Sequence, residues 1–118
     1  MTVEELISKV FATRNAVHLE HWRTQSYAQH MALGDFYEGL PGAIDSIVEK
    51  YQGAFQLIGP VPVPVPPTDA MLDHLEDEAA WIEANRDRIS KRNSALGNLI
   101  DALLETYYGT IYKLRNLK

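Results

Sequence analysis

Cysteine is absent from the chain. That excludes disulfides, thiolate metal ligands and a cysteine nucleophile. Long apolar runs are absent too. No stretch approaches the ~18 residues that cross a bilayer, so no membrane partner is expected. The N-terminus, MTVEELISKVF, carries acids early and has no apolar core flanked by small residues. No secretory leader is expected there, and the cytoplasm is the expected compartment. Basic charge is scarce: eleven Lys and Arg stand against sixteen Asp and Glu, with no lysine-rich tail. A protein that coats a duplex neutralises phosphates with a basic face, so nucleic acid is not an expected partner. Also missing are a glycine-rich phosphate loop, a nucleophile elbow and a zinc-protease motif. No catalytic side chain is assigned.

What is present is helical. At 118 residues, 46% of them apolar, the chain makes one domain, 1–118, with one hydrophobic core. Thr2 and Glu5 predict a capping box. Behind them Val3, Leu6, Ile7, Val10, Phe11, Val17, His18, His21 and Trp22 recur at helical spacing. Arg23 to Ser26 is a polar turn. The second segment runs from about Tyr27 to Gln52, with Met31, Leu33, Phe36, Tyr37, Leu40, Ile44, Ile47, Val48 and Tyr51. Pro41 inside it predicts a kink or a break, because proline removes a backbone donor and crowds the preceding turn. The third segment follows Pro66-Pro67, with Thr68 as its cap and Asp69 in its first turn. Its stripe is Met71, Leu75, Ala79, Ile82 and Ile89. The last carries Leu96, Ile100, Leu103, Tyr107, Ile111, Leu114 and Leu117.

Between the second and third segments lies Gly53 to Pro67, rich in proline. Such chain is stiff and extended at roughly 3.1 Å per residue, so fifteen residues reach about 45 Å, enough to run the length of a bundle. Two tight helical hairpins joined by one long crossover place the second and third helices parallel. The expected fold is an all-α, ferritin-like four-helix bundle with a single Pro-rich crossover between helices 2 and 3.

His21, His30, Asp45 and Glu49 are the residues with chemistry to offer. Imidazole and carboxylate together suit iron in both oxidation states. His30 and Asp45 are fifteen residues apart, roughly 22 Å along a helix, and no single ion spans that distance. If they share a site, the far pair comes from a second copy of the chain. His74, in the third segment, is expected to be exposed, because the Glu-x-x-His repeats of a site inside one bundle are missing.

The run from His18 to Gly53 resembles the Dps branch of the ferritin-like superfamily. His21-Trp22 is similar to that family's histidine-tryptophan pair late in its first helix. His30 followed by Asp45-Ser-Ile-Val-Glu49 and then Gly53 resembles its second helix, and Tyr112-Lys-Leu-Arg-Asn-Leu117 resembles the ending of its last. The resemblance implies a ferroxidase site between subunits related by a two-fold axis. His21 and His30 would come from one chain, and Asp45 and Glu49 from its mate. It implies iron (Fe2+/Fe3+) as the metal, iron oxidation, iron storage or peroxide consumption as the activity, and a homo-oligomer, either a two-fold dimer or a larger shell. The sequence departs from the pattern in three ways. The first turn is short, which leaves His18 as a fallback ligand. The acidic ligand expected four residues after His30 is Gly34, and Asp35 and Glu38 are its candidate replacements. At about 100° per residue, Asp35 lies about 140° from His30 and Glu38 about 80°. The proline run replaces the family's small crossover helix. The alternative reading is a metal-free bundle of the same ancestry serving as a structural or interaction module, for example one encoded by a virus of bacteria.

Overall fold

Thr2 opens the first helix as expected: its hydroxyl accepts the Glu5 N–H at 3.1 Å, satisfying one orphan donor of the first turn. The computed structural model describes residues 2–62 and 70–118. Four helices account for most of them: α1 (Val3–Arg23), α2 (Tyr27–Ala54), α3 (Met71–Ser90) and α4 (Ser94–Asn116). No strand occurs among the described residues. Ser26 caps α2 and Asn93 caps α4, each through a side-chain oxygen on a first-turn N–H. The expected cap Thr68 and Asp69, with the proline run of 63–67, lie outside the described residues. Ala70, before α3, has φ 49°, a left-handed conformation rare for a residue with a Cβ.

α1 packs on α2 and α3, and α4 packs on the same two. Neighbour contacts fix the directions. Glu4 near the start of α1 lies close to Lys91 at the end of α3. Thr13 meets His74 and Glu78. Glu20 and Met71 share a groove with Gln29 and Leu114. α1 and α3 are therefore antiparallel. Tyr51, late in α2, lies under the Lys91 ammonium at 5.2 Å, so α2 ends where α3 ends, and the two run parallel. Residues 58–62 leave that end along α1: the Gly59 N–H donates to Glu4 at 2.8 Å, and Val61 and Pro62 lie with Phe11, Ala12 and Asn15.

The core is the expected set of stripes. Leu6, Val10 and Val17, then Leu33, Phe36, Leu40 and Ile47, then Leu75, Ile82 and Ile89, then Leu96, Ile100, Leu103 and Tyr107 join in one buried cluster. Four stripe residues leave it. Phe11, Trp22, Met31 and Leu117 are exposed, Trp22 by 66%. No described helix is long and apolar enough to cross a membrane.

The helix assignment runs unbroken through Pro41, so the expected break is absent. Pro41 is exposed, and the ring therefore points away from the core, where the lost donor is cheapest to tolerate. Replacing it is expected to repair the ladder at the Tyr37 carbonyl. Pro41→Ala should raise stability by ~1–3 kcal/mol, read as a higher urea midpoint at unchanged slope. A lowered midpoint would show that the proline pre-organises α2.

Candidate functional site

The short turn between α1 and α2 brings two histidines face to face. His21 lies in the last turn of α1 and His30 in the first turn of α2. Their rings stack at 3.7 Å between centroids and 19° between planes. Each ring is tied to the other's backbone. The His21 Nδ1–H donates to the His30 carbonyl at 2.6 Å, and the His30 Nδ1–H donates to the His21 carbonyl at 2.8 Å. Carbonyls only accept, so both Nδ1 atoms carry hydrogen. In the neutral rings the lone pairs then sit on Nε2. Orienting one ring nitrogen through a carbonyl bond is how proteins prepare the other as a metal ligand.

Gly34 is part of this clamp. A Cβ built there would lie 3.1 Å from the His21 ring carbon Cε1 and 3.3 Å from Nδ1. Any side chain at this position, the expected acidic ligand included, would crowd the imidazole and require it to give by a few tenths of an ångström. His18 is one helical turn away and stacks on Tyr37 at 4.1 Å, with the tilted Trp22 ring 4.4 Å from it. The Arg14 guanidinium lies 5.3 Å over the Tyr37 ring. His18 thus belongs to an aromatic row beside the clamp, its centroid 6.4 Å from that of His21.

The acids lie elsewhere. Asp35 faces a groove with Glu105, Gly109 and Lys113 of α4, on the side of α2 away from the clamp. Glu38 and Glu49 are exposed on α2. Asp45 is exposed at the edge of an apolar cleft of about 410 Å³ whose walls include Ile7, Phe11, Ile44, Val48 and Ile58. Among the described residues, no three His, Asp or Glu side chains converge so as to hold one metal ion. Of the expected ligands the fold brings together only His21 and His30.

A second polar cluster lies inside the bundle, and sequence reasoning missed it. Glu78 is buried and accepts the Tyr107 hydroxyl at 2.6 Å and the Thr13 hydroxyl at the same oxygen. With its hydrogen spent on Glu78, Thr13 Oγ1 accepts from His74 Nε2–H at 2.7 Å. His74 is therefore half-buried and bonded rather than exposed. Burial is the main cause that raises the Glu78 pKa above the carboxylate range, against the opposing pull of Thr13 and Tyr107. Burial and the adjacent carboxylate hold the Tyr107 phenol well above its ordinary value, so it stays a donor. The helical spacing of His74 and Glu78 was a signal that could have found the cluster, since side chains four apart on a helix share a face.

These features define the class: an all-α four-helix bundle with a paired-histidine clamp at one hairpin and a buried carboxylate cluster between α1, α3 and α4. The chain belongs to DUF5856, a family of unknown function, which matches it over residues 21–114. No curated protein and no solved structure matches it. The family match begins at His21 and includes His30, Asp45, Glu49, His74, Glu78 and Tyr107.

Because folding raises the Glu78 pKa, the native state holds that proton more tightly than the unfolded chain. Its stability contribution is complete at acid pH and is lost as pH rises through the folded pKa. Glu78→Gln keeps an oxygen that can accept both hydroxyls and removes the charge. The variant should melt higher than the parent at pH 7–8, and the difference should shrink toward pH 4. A variant that melts lower at every pH would show that the ionised carboxylate is worth more to its partners than its burial costs.

Proposed function

We propose that this protein is a ferritin-like, Dps-type bundle that takes Fe(II) as substrate at a site shared by two chains and oxidises it. The observation that carries the reading is the His21–His30 clamp: two rings locked by Nδ1–H bonds to backbone, each leaving Nε2 as the lone-pair nitrogen. Asp45 and Glu49 supply the carboxylates from the mate, with Glu38 of α2 nearest the line between the two pairs. Asp35 and His18 are weaker members, the first because it turns toward α4 and the second because Tyr37 and Trp22 enclose its ring. The parallel course of α2 and α3, together with residues 58–62 laid along α1, supports the one-crossover topology of that superfamily, with the proline run as the crossover. A site split between copies suits an isologous dimer, in which each patch is used twice and two equivalent sites arise. The donors fit iron: two neutral imidazoles and two carboxylates hold Fe(II) and tolerate Fe(III). With peroxide as oxidant, two Fe(II) give one electron each, two protons are consumed, and two Fe(III) and two waters result.

The exposed aromatic face supports a second reading, a metal-free interaction module, because Phe11, Trp22, Tyr27 and Met31 stand in solvent on α1 and α2. Metal binding separates the two. Zn(II), a redox-inert stand-in, should raise the melting temperature, by about 2.7 kcal/mol of stability at a hundredfold excess over Kd. Asp45→Ala with Glu49→Ala should abolish the gain, and so should His30→Ala. A melting curve unchanged by saturating metal leaves the interaction module as the better account.

Complementation tests the split. A His30→Ala chain keeps both carboxylates, and the Asp45→Ala, Glu49→Ala chain keeps both histidines. Each is expected to be inactive alone. Mixed after dissociation, each heterodimer should rebuild one of its two sites and recover about half of the parental rate of Fe(II) oxidation. No recovery, beside an active parent, would place the site within one chain.

A further inference from the structure

Trp22 is an indole 66% exposed, and among the described residues no side chain fills the apolar cleft beside Asp45. Both lie on one face. Phe11, Asn15, His18 and Trp22 follow one another at spacings of four, three and four along α1, so they form one stripe; Phe11 and Asn15 line the cleft, and His18 touches Trp22. We propose that Trp22 of each copy seats in the cleft of a second copy, so that two identical indole locks hold the two-fold pair together.

The register of the hairpin supports this occupant. His21 lies beside His30, and Ile7 lies beside Ile44. Trp22 is therefore level with Gln29 of α2. The inference rests on the two-fold reading proposed above. An axis that lays His30 over the midpoint of the mate's Asp45 and Glu49 also lays the level of Gln29 over the mate's Val48. Val48 and Ile44 are walls of the cleft. One axis thus satisfies the metal donors and the indole without being adjusted for the second. Size agrees as well. A cavity of about 150 Å³ holds a benzene ring, and 410 Å³ holds an indole with room for the neighbouring His18 edge. Trp is the residue type most often found as an energetic anchor at the centre of an interface.

Sedimentation equilibrium of the full chain in EDTA tests the lock apart from the metal. The parent should dimerise. Trp22→Ala should weaken the dimer by about thirtyfold or more, and Val48→Glu should weaken it comparably from the other side while leaving the indole intact. Circular dichroism checks that each variant is folded, which matters most for the half-buried Val48. The emission of Trp22 in a Trp81→Phe background should move to shorter wavelength as concentration drives dimerisation. A Trp22→Ala dimer as tight as the parent overturns the lock and leaves the shared metal site standing. A tight Val48→Glu dimer, or an emission that ignores concentration, overturns the cleft as the seat. A parent that stays monomeric at ~100 µM overturns the two-fold and the lock together. The reverse separation is also readable: if Trp22→Ala is monomeric yet still binds Zn(II) at the parental stoichiometry, the lock holds and the shared site fails.

Discussion

Two imidazoles and two backbone carbonyls set the register of α1 against α2, and the arrangement of the outer face depends on it. Each hydrogen bond in the clamp joins a ring to the backbone of the other helix. Sliding the hairpin by one residue therefore breaks both bonds at once and turns the rings away from each other. The stack also needs Gly34, since any Cβ there would press on the His21 ring. Once this end is pinned, the rest of the hairpin follows as two rigid rods. Tyr37 comes opposite His18, and Ile44 comes opposite Ile7. The aromatic row lies one turn from the pinned end, and the apolar cleft is a consequence of a register chosen some 20 Å away, at about 1.5 Å of rise per residue.

The core meets a different constraint. Glu78 sits where an apolar residue would ordinarily be, and every polar atom around it is used. Tyr107 and Thr13 both donate to the carboxylate, and His74 donates to Thr13. No buried side-chain polar atom among the described residues lacks a partner. A satisfied cluster of this kind demands one relative placement of α1, α3 and α4, because a carboxylate left without its donors in the interior costs far more than a misplaced leucine. The apolar stripes make the helices associate. The polar cluster selects which of several similar packings they adopt. Phe36 of α2 reaches the same cluster through its edge contact with the Tyr107 ring at 4.9 Å, so all four helices touch it directly or through one neighbour.

The four helices, the Thr2 cap and most of the buried stripes were legible in the sequence because each rests on local physics. Thr2 caps through a bond three residues long, and Leu96, Ile100, Leu103 and Tyr107 repeat with the helix; Ser26 and Asn93 were read only as turn residues, and they cap in the same way. Phe11, Trp22 and Met31 were misread for a reason the period cannot supply. They fall on the edge of an apolar stripe, and only the third dimension decides whether an edge residue is covered. Of the site, the pairing of His21 with His30 was legible as chemistry but not as geometry. The Nδ1 bonds run to carbonyls, which have no sequence signature. Asp35 was weighed as a replacement ligand by its angle on the helix wheel, and that angle does carry it to the α4 side, as the groove with Lys113 shows. Thr13, the His74–Glu78 pair and Tyr107 come from three helices separated by up to ninety-odd positions; the four-residue spacing joins only His74 to Glu78, and no local pattern brings in the other two.

The two halves of the bundle are finished differently. Across α3 and α4, Arg86 grips Asp101 with two bonds at 2.6 and 2.9 Å, Arg115 pairs with Glu76, and Tyr108 donates to Glu83. Gly97 makes room for the Arg86 guanidinium, which lies where a Cβ would have to go. These are exposed contacts. Each contributes little to stability, but together they leave that surface with paired polar groups. The α1–α2 surface has no such lacing among its described ion pairs. It carries an indole, a phenyl ring, a thioether and an apolar cleft. A chain that had only to stay folded would gain by burying Trp22 or replacing it with a charge, because exposed aromatic area invites association. The same hairpin register that exposes the indole also holds the histidine Nε2 atoms and the cleft on one face. The fold therefore sets the His21–His30 clamp, the exposed indole and the apolar cleft on one hairpin.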